Sequence, residues 1–247
     1  MKKLIFVMND HAEVGKTTFS SALVRAIRAQ DIHTGYLSII GEEDTPASTK
    51  SPKYNGTWNI IDDNDVNVLF KWCRKYDALV CDVQSGYADA VMELYESEDL
   101  DLVLGEKDIE LVIAAPQIDE AACNEEIALV ADRISDNAYY VIPRIPVDKF
   151  ESYLQSWEDS DAASTLDYLG AQLMEVPRFT DAMQEVLENE GISLITAIDR
   201  SPDALPTSVA SMMRDWHRAF DRQLEDSLDY LLPEVRSRHG FKRAKSA

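Results

Sequence analysis

Short apolar runs alternate with longer stretches of helical spacing from one end of this 247-residue chain to the other. The first run is Leu4-Ile5-Phe6-Val7-Met8, and Phe19, Leu23 and Ile27 then recur at helical intervals across residues 16–29. Residues 36–40, 78–81, 111–115, 139–142 and 172–176 repeat the apolar signal. Strand–helix alternation with near-continuous apolar strands implies a mostly parallel sheet with helices on both faces, so the predicted fold class is α/β.

The helical segments are legible by periodicity. Val66, Leu69, Phe70 and Cys73 mark one helix, and Phe179, Ala182, Met183, Val186 and Leu187 fall at i, i+3, i+4, i+7 and i+8. The same spacing runs from Val209 through Met212, Met213, Trp216, Phe220, Leu224 and Leu228 to Leu231, predicting one helix that ends at Pro233. Its aromatic and methionine side chains read as core, with a dimer or partner contact as the sharper alternative. Residues 41–57 are polar, with two prolines and two glycines, and are predicted as a long loop. No repeat and no compositional break divides the chain, so residues 1–233 are expected to form one domain.

Charge narrows the partners. Against 24 Lys and Arg stand 45 Asp and Glu, a net charge of −21 that argues against a surface binding nucleic acid or anionic membrane all over. One basic patch remains, the tail at residues 234–247, predicted to be flexible. There Arg236, Arg238, Lys242, Arg243 and Lys245 surround Phe241, fitting either weak contact with nucleic acid or an acidic partner, or a solubilising end. The first apolar run is too short for the core of a signal peptide, and no stretch approaches the roughly 18 apolar residues of a membrane span. Cys73, Cys81 and Cys123 suggest neither a disulfide framework nor a zinc site, and His33, His217 and His239 have no neighbours at metal-ligand spacing. A cytoplasmic protein without a transmembrane segment is expected.

Chemistry enters between the first strand and the first helix, at His11-Ala12-Glu13-Val14-Gly15-Lys16-Thr17-Thr18. Gly15-Lys16-Thr17 is the second half of the P-loop pattern, although the first glycine of that pattern falls at Asp10. Amides of such a loop and of the first helical turn point at an anion, and the helix dipole favours negative charge there. Lys16 is then placed to reach the β and γ phosphates, Thr17 to ligate Mg²⁺ and Thr18 to bond the α-phosphate. A plain turn with a helix-capping threonine is the bland alternative. The run Ala78-Leu79-Val80-Cys81 ends in Asp82, where a Mg²⁺ and its waters need a carboxylate, or where a loop needs a cap.

These residues resemble the ParA/MinD group of P-loop ATPases, including relatives encoded with conjugative transfer systems. The resemblance rests on Val14-Gly15-Lys16-Thr17-Thr18, on Tyr76-Asp77 leading to Asp82 and Gly86, on Val176-Pro177-Arg178-Phe179, and on Glu190-Gly191-Ile192-Ser193-Leu194. It implies ATP with Mg²⁺ as cofactors, a nucleotide-dependent homodimer, a protein partner from segregation or transfer machinery, and hydrolysis that is weak or partner-stimulated. It also implies an acid after the second strand that positions water. Glu42 falls nearest, with Asp44 as rival, and either also reads as part of a solvated acidic loop.

Departures from the group are concentrated in the loop. The lysine that reaches across the dimer is His11 here, and two glycines are Ala12 and Glu13. A histidine supplies that charge only when protonated, and Glu13 adds a carboxylate beside phosphates. These changes bear on hydrolysis more than on binding, so a hydrolysis-deficient nucleotide-binding scaffold is the second reading. The asparagine expected beside the adenine is replaced near Pro143-Arg144. Glu13-Val14-Gly15-Lys16-Thr17 also resembles dethiobiotin synthetase, an ATP-dependent ligase, but that likeness is confined to the loop.

Overall fold

Residue parity along the first strand sorts the core into two halves. In the computed structural model, which describes residues 1–41, 55–61, 65–145 and 157–233, Leu4, Phe6 and Met8 pack on one side of the sheet. Ile5 and Val7 pack on the other. Successive side chains of a strand point to opposite faces, so a run apolar at every position must be buried on both. β4 and β5 divide in the same way: Leu79, Cys81, Leu111 and Ile113 lie on the first face, and Val80, Val112 and Ala114 on the second.

The strands are β1 (Lys2–Val7), β2 (Thr34–Ile40), β3 (Asn55–Asn59), β4 (Ala78–Val83), β5 (Ile109–Ala114), β6 (Tyr139–Arg144) and β7 (Gln172–Glu175). They form one sheet in the order β3-β2-β4-β1-β5-β6-β7, and every pairing is parallel. Helices α2 (Val66–Lys75), α3 (Ala88–Ser97), α4 (Leu100–Glu106), α5 (Ala121–Ile134) and α6 (Asp161–Tyr168) cover the face of Leu4 and Phe6. The face of Ile5 and Val7 is covered by α1 (Lys16–Arg28), α7 (Asp181–Asn189), α8 (Leu194–Asp199), α9 (Thr207–Leu224) and the short α10 (Leu228–Leu231). The predicted α/β class and mostly parallel sheet are thus borne out. Among the described residues, no helix is long and apolar enough to cross a membrane.

Two expectations need correction. The predicted loop at 41–57 gives way at its end to β3, of sequence Asn55-Gly56-Thr57-Trp58-Asn59, which among the described residues pairs only with β2 and so is an edge strand. An edge strand needs one good apolar anchor rather than a run, and Trp58 supplies it at 2% exposure. The single helix predicted up to Pro233 is broken by a 3₁₀ turn at Glu225–Ser227 that separates α9 from α10. The buried Trp216, Met213 and Phe220 are core residues, as their spacing indicated.

Candidate functional site

Parity also places the carboxylate. Asp82 follows Ala78 and Val80 on the face that carries α1, and its neighbour on β1 is Val7, the last residue before the loop. At the carboxyl end of a parallel sheet, that juxtaposition puts an acid against the start of a helix. Thr17 Oγ1 donates to Asp82 Oδ2 at 2.8 Å, and Ser20, one turn further along α1, reaches Oδ1 at 3.3 Å. From the neighbouring β2, the Tyr36 hydroxyl donates to Oδ2 at 2.6 Å. Asp82 is only 2% exposed. Burial pushes its pKa up, while the hydroxyls of Tyr36, Thr17 and Ser20 and the charge of Lys16 pull it back. The same burial and the nearby carboxylate drive the Tyr36 phenol upward, so Tyr36 stays a donor.

The loop itself is wound tightly around a cation. Gly15, at φ 74°, is the N-cap of α1, and its lack of a side chain leaves the first turn without a side-chain cap. The Lys16 ammonium bonds the carbonyls of Asn9 at 2.6 Å and His11 at 2.8 Å, and the Ser85 hydroxyl at 2.8 Å. Burial lowers the Lys16 pKa, opposed by the charges of Asp82 and Asp10. Asn9, also buried, holds the loop by donating to the Pro116 carbonyl and accepting from the His11 amide, both at 2.9 Å. Glu13 is exposed and takes the left-handed backbone, at φ 59°.

Two of the substituted loop positions have side-chain partners of their own. His11 Nε2 lies 2.9 Å from Glu120, just before α5, and its Nδ1 lies 2.8 Å from the Ala12 carbonyl. Asp10 Oδ1 accepts from the amides of Gly86 at 2.8 Å and Ala88 at 3.0 Å, capping α3. Val14 is fully buried. Beside Gly15 and Thr18 opens a pocket of about 440 Å³, walled by Phe19, Ile145, Pro177, Arg178, Phe179 and Trp216 among others. The Val176-Pro177-Arg178-Phe179 segment read from sequence therefore lies next to the loop. Trp216 is fixed there by a 3.0 Å bond from its indole nitrogen to the Pro177 carbonyl.

Of the residues singled out in sequence, the structure brings together His11 through Thr18 and Asp82. Glu42, its rival Asp44 and the basic tail lie outside the described residues. Sequence reading missed Asp10 as a cap, Ser20, Tyr36, Ser85 and Glu120. Ser20 follows Thr17 by three residues and was available from helical spacing.

No protein-family model and no curated protein matches the chain. Solved structures do. A ParA family ATPase from Chlorobium tepidum TLS superposes with a TM-score of 0.51 at 12% identity, covering 88% of this chain and 98% of that one. The chain has a ParA-like fold. Also similar are the MinD cell division protein of Aquifex aeolicus (TM-score 0.47, 13% identity, 87% and 96% covered) and a nucleotide-binding protein from Archaeoglobus fulgidus in complex with ADP (0.48, 16%, 88% and 91%). Within this ParA-like fold, the loop and Asp82 occupy the carboxyl ends of β1 and β4, at the middle of the sheet.

Proposed function

We propose that the chain is a nucleotide-binding switch of the ParA/MinD kind, taking ATP with Mg²⁺ at the loop of His11 to Thr18. The observation that carries this reading is the junction of Lys16, Thr17 and Asp82 at the uncapped start of α1. A phosphate chain needs a cation, free amides and a metal-side carboxylate, and this junction supplies all three. Lys16 would hold the β and γ phosphates. Thr17 would bind Mg²⁺ directly, and Asp82 would hold its water. Bound Mg²⁺ neutralises phosphate charge; the remaining work belongs to the chain. The pocket lined by Phe179 and Trp216 offers apolar walls for a base, with Arg178 at its edge.

Occupancy of this site would shift a monomer–dimer equilibrium and so present or withdraw a surface for a protein partner in DNA segregation, transfer or positioning. The 2.9 Å contact between His11 Nε2 and Glu120 within one chain supports slow hydrolysis, because it engages the side chain that would otherwise reach across a dimer. Calorimetric titration of Mg²⁺-ATP into the wild type and Lys16→Ala tests binding. The expected result is heat in the first and none in the second. Light scattering in apo, ADP and ATP states tests the switch, and a single unchanging mass would count against it.

A further inference from the structure

The amides that Asp10 holds lie beside the cation that a phosphate loop aims at the end of the phosphate chain. Ser85 precedes Gly86, and its hydroxyl is 2.8 Å from the Lys16 ammonium and 3.3 Å from the His11 carbonyl. The Gly86 and Ala88 amides are thus one to three residues along the chain from a direct Lys16 contact, and both are taken by a carboxylate oxygen. Where the strict motif has glycine, with nothing beyond Cα, this chain carries an anion.

We propose that Asp10 is a specificity-determining residue, a built-in anion on the Gly86 and Ala88 amides that makes the loop prefer a nucleoside diphosphate to a triphosphate. The inference rests on the nucleotide-binding reading. A diphosphate ends at Lys16 and the first turn of α1, and leaves the Asp10 cap on α3 intact. A third phosphoryl group must enter beside the Asp10 carboxylate or displace it from both amides.

The surroundings reinforce the discrimination. Glu126 on α5 has its pKa raised by burial and then by the charges of Asp10 and Asp89, which places further carboxylates around Asp10. Of the basic groups nearby, Arg133 is paired with Asp89 and Glu96 and His11 lies against Glu120, which leaves Lys16 to oppose the charge of Asp10. A triphosphate that displaces Asp10 uncaps α3, and one that enters beside it meets the carboxylate, so in either case the start of that helix distinguishes the two nucleotides.

The test is titration of Mg²⁺-ADP and Mg²⁺-ATP into the wild type, Asp10→Asn and Asp10→Gly, with circular dichroism as the check of folding. Asparagine keeps an oxygen for the two amides and removes the charge, whereas glycine restores the strict pattern. Wild type is expected to bind ADP at least tenfold more tightly than ATP. Both variants are expected to shrink that ratio at least fivefold, with ADP affinity changed less than threefold. A wild type without ADP preference, or a ratio unmoved in both variants while ADP still binds, would overturn the role of Asp10 alone. Absence of binding by either nucleotide to folded wild type would overturn the nucleotide reading and this inference together.

Discussion

The Tyr36 hydroxyl and the Thr17 hydroxyl both donate to the same oxygen of Asp82, at 2.6 Å and 2.8 Å. A buried carboxylate stays ionised only where donors replace the water it has lost, and β2 supplies one of them. Tyr36→Phe removes that donor without changing the ring. Stability is expected to fall by about 1–2 kcal/mol. Mg²⁺-dependent nucleotide affinity is expected to weaken by about threefold to tenfold, the effect of losing one hydrogen bond to the carboxylate. The deficit should grow as the pH falls, because Asp82 then takes a proton more readily. Titrations at pH 8 and pH 6, with Mg²⁺ and with EDTA, check this; equal affinities of wild type and variant at both pH values would refute it.

Glu13 holds a left-handed backbone, at φ 59°, that suits glycine. A side chain there is strained by about 1 kcal/mol. Glu13→Gly is expected to stabilise the apo protein by about 0.5–1 kcal/mol, the gain being trimmed by the greater freedom of glycine in the unfolded chain. Nucleotide affinity should rise in the same variant as a carboxylate leaves the loop. Urea denaturation and calorimetry read the two effects separately, and a loss of stability would contradict the strain argument.

Two glycines predict opposite signs. A Cβ on Gly35 would lie 2.4 Å from the ring of Tyr76, which is itself flanked by His33 and Trp72 at centroid distances of 4.7 and 6.0 Å. Gly35→Ala is expected to cost about 1–3 kcal/mol through overpacking. Gly105, in α4, meets nothing within 4 Å, so Gly105→Ala is expected to gain about 0.5–1 kcal/mol of helix propensity. Denaturation midpoints of the pair test the prediction; a common direction would defeat it.

His217 on α9 makes stability depend on pH. Burial, helped by the charge of Arg25 and opposed by a hydrogen bond with the Ile198 backbone, lowers its pKa to about 4. Between pH 4 and 6.5 the unfolded chain binds a proton that the folded chain refuses, so stability rises with pH through that window and is lost as pH falls. The contribution is at most about 3 kcal/mol. His217→Gln should flatten the slope of unfolding free energy over this window, and an unchanged slope would dismiss the residue as its source.

The central strands were legible because burial on both faces forces an apolar residue at nearly every position, a pattern that needs no partner to be read. β3 was not, because its one anchor, Trp58, sits among polar residues and its pairing partner is nineteen residues away in the chain. The break after α9 was hidden for a different reason: Leu224, Leu228 and Leu231 keep helical spacing through the 3₁₀ turn. At the candidate site, Lys16, Thr17 and Asp82 could be singled out because the expected chemistry calls for those residue types. Tyr36 was taken for one more apolar position in a strand, and only the sheet order puts β2 beside β4 and its phenol against Asp82. The His11–Glu120 pair likewise depends on where α5 begins, which local sequence does not tell.

The order of the sheet also sets a timetable for biosynthesis. β1 is made first, yet both its neighbours come late, since β4 begins at Ala78 and β5 at Ile109. At about 5–20 residues per second, roughly 3–13 s pass between the synthesis of Thr18 and that of Val83. During that interval the apolar run of β1 has neither of its two edges to join. The strand that leads into the Lys16 loop is therefore, on the ribosome, the one that waits longest for a partner.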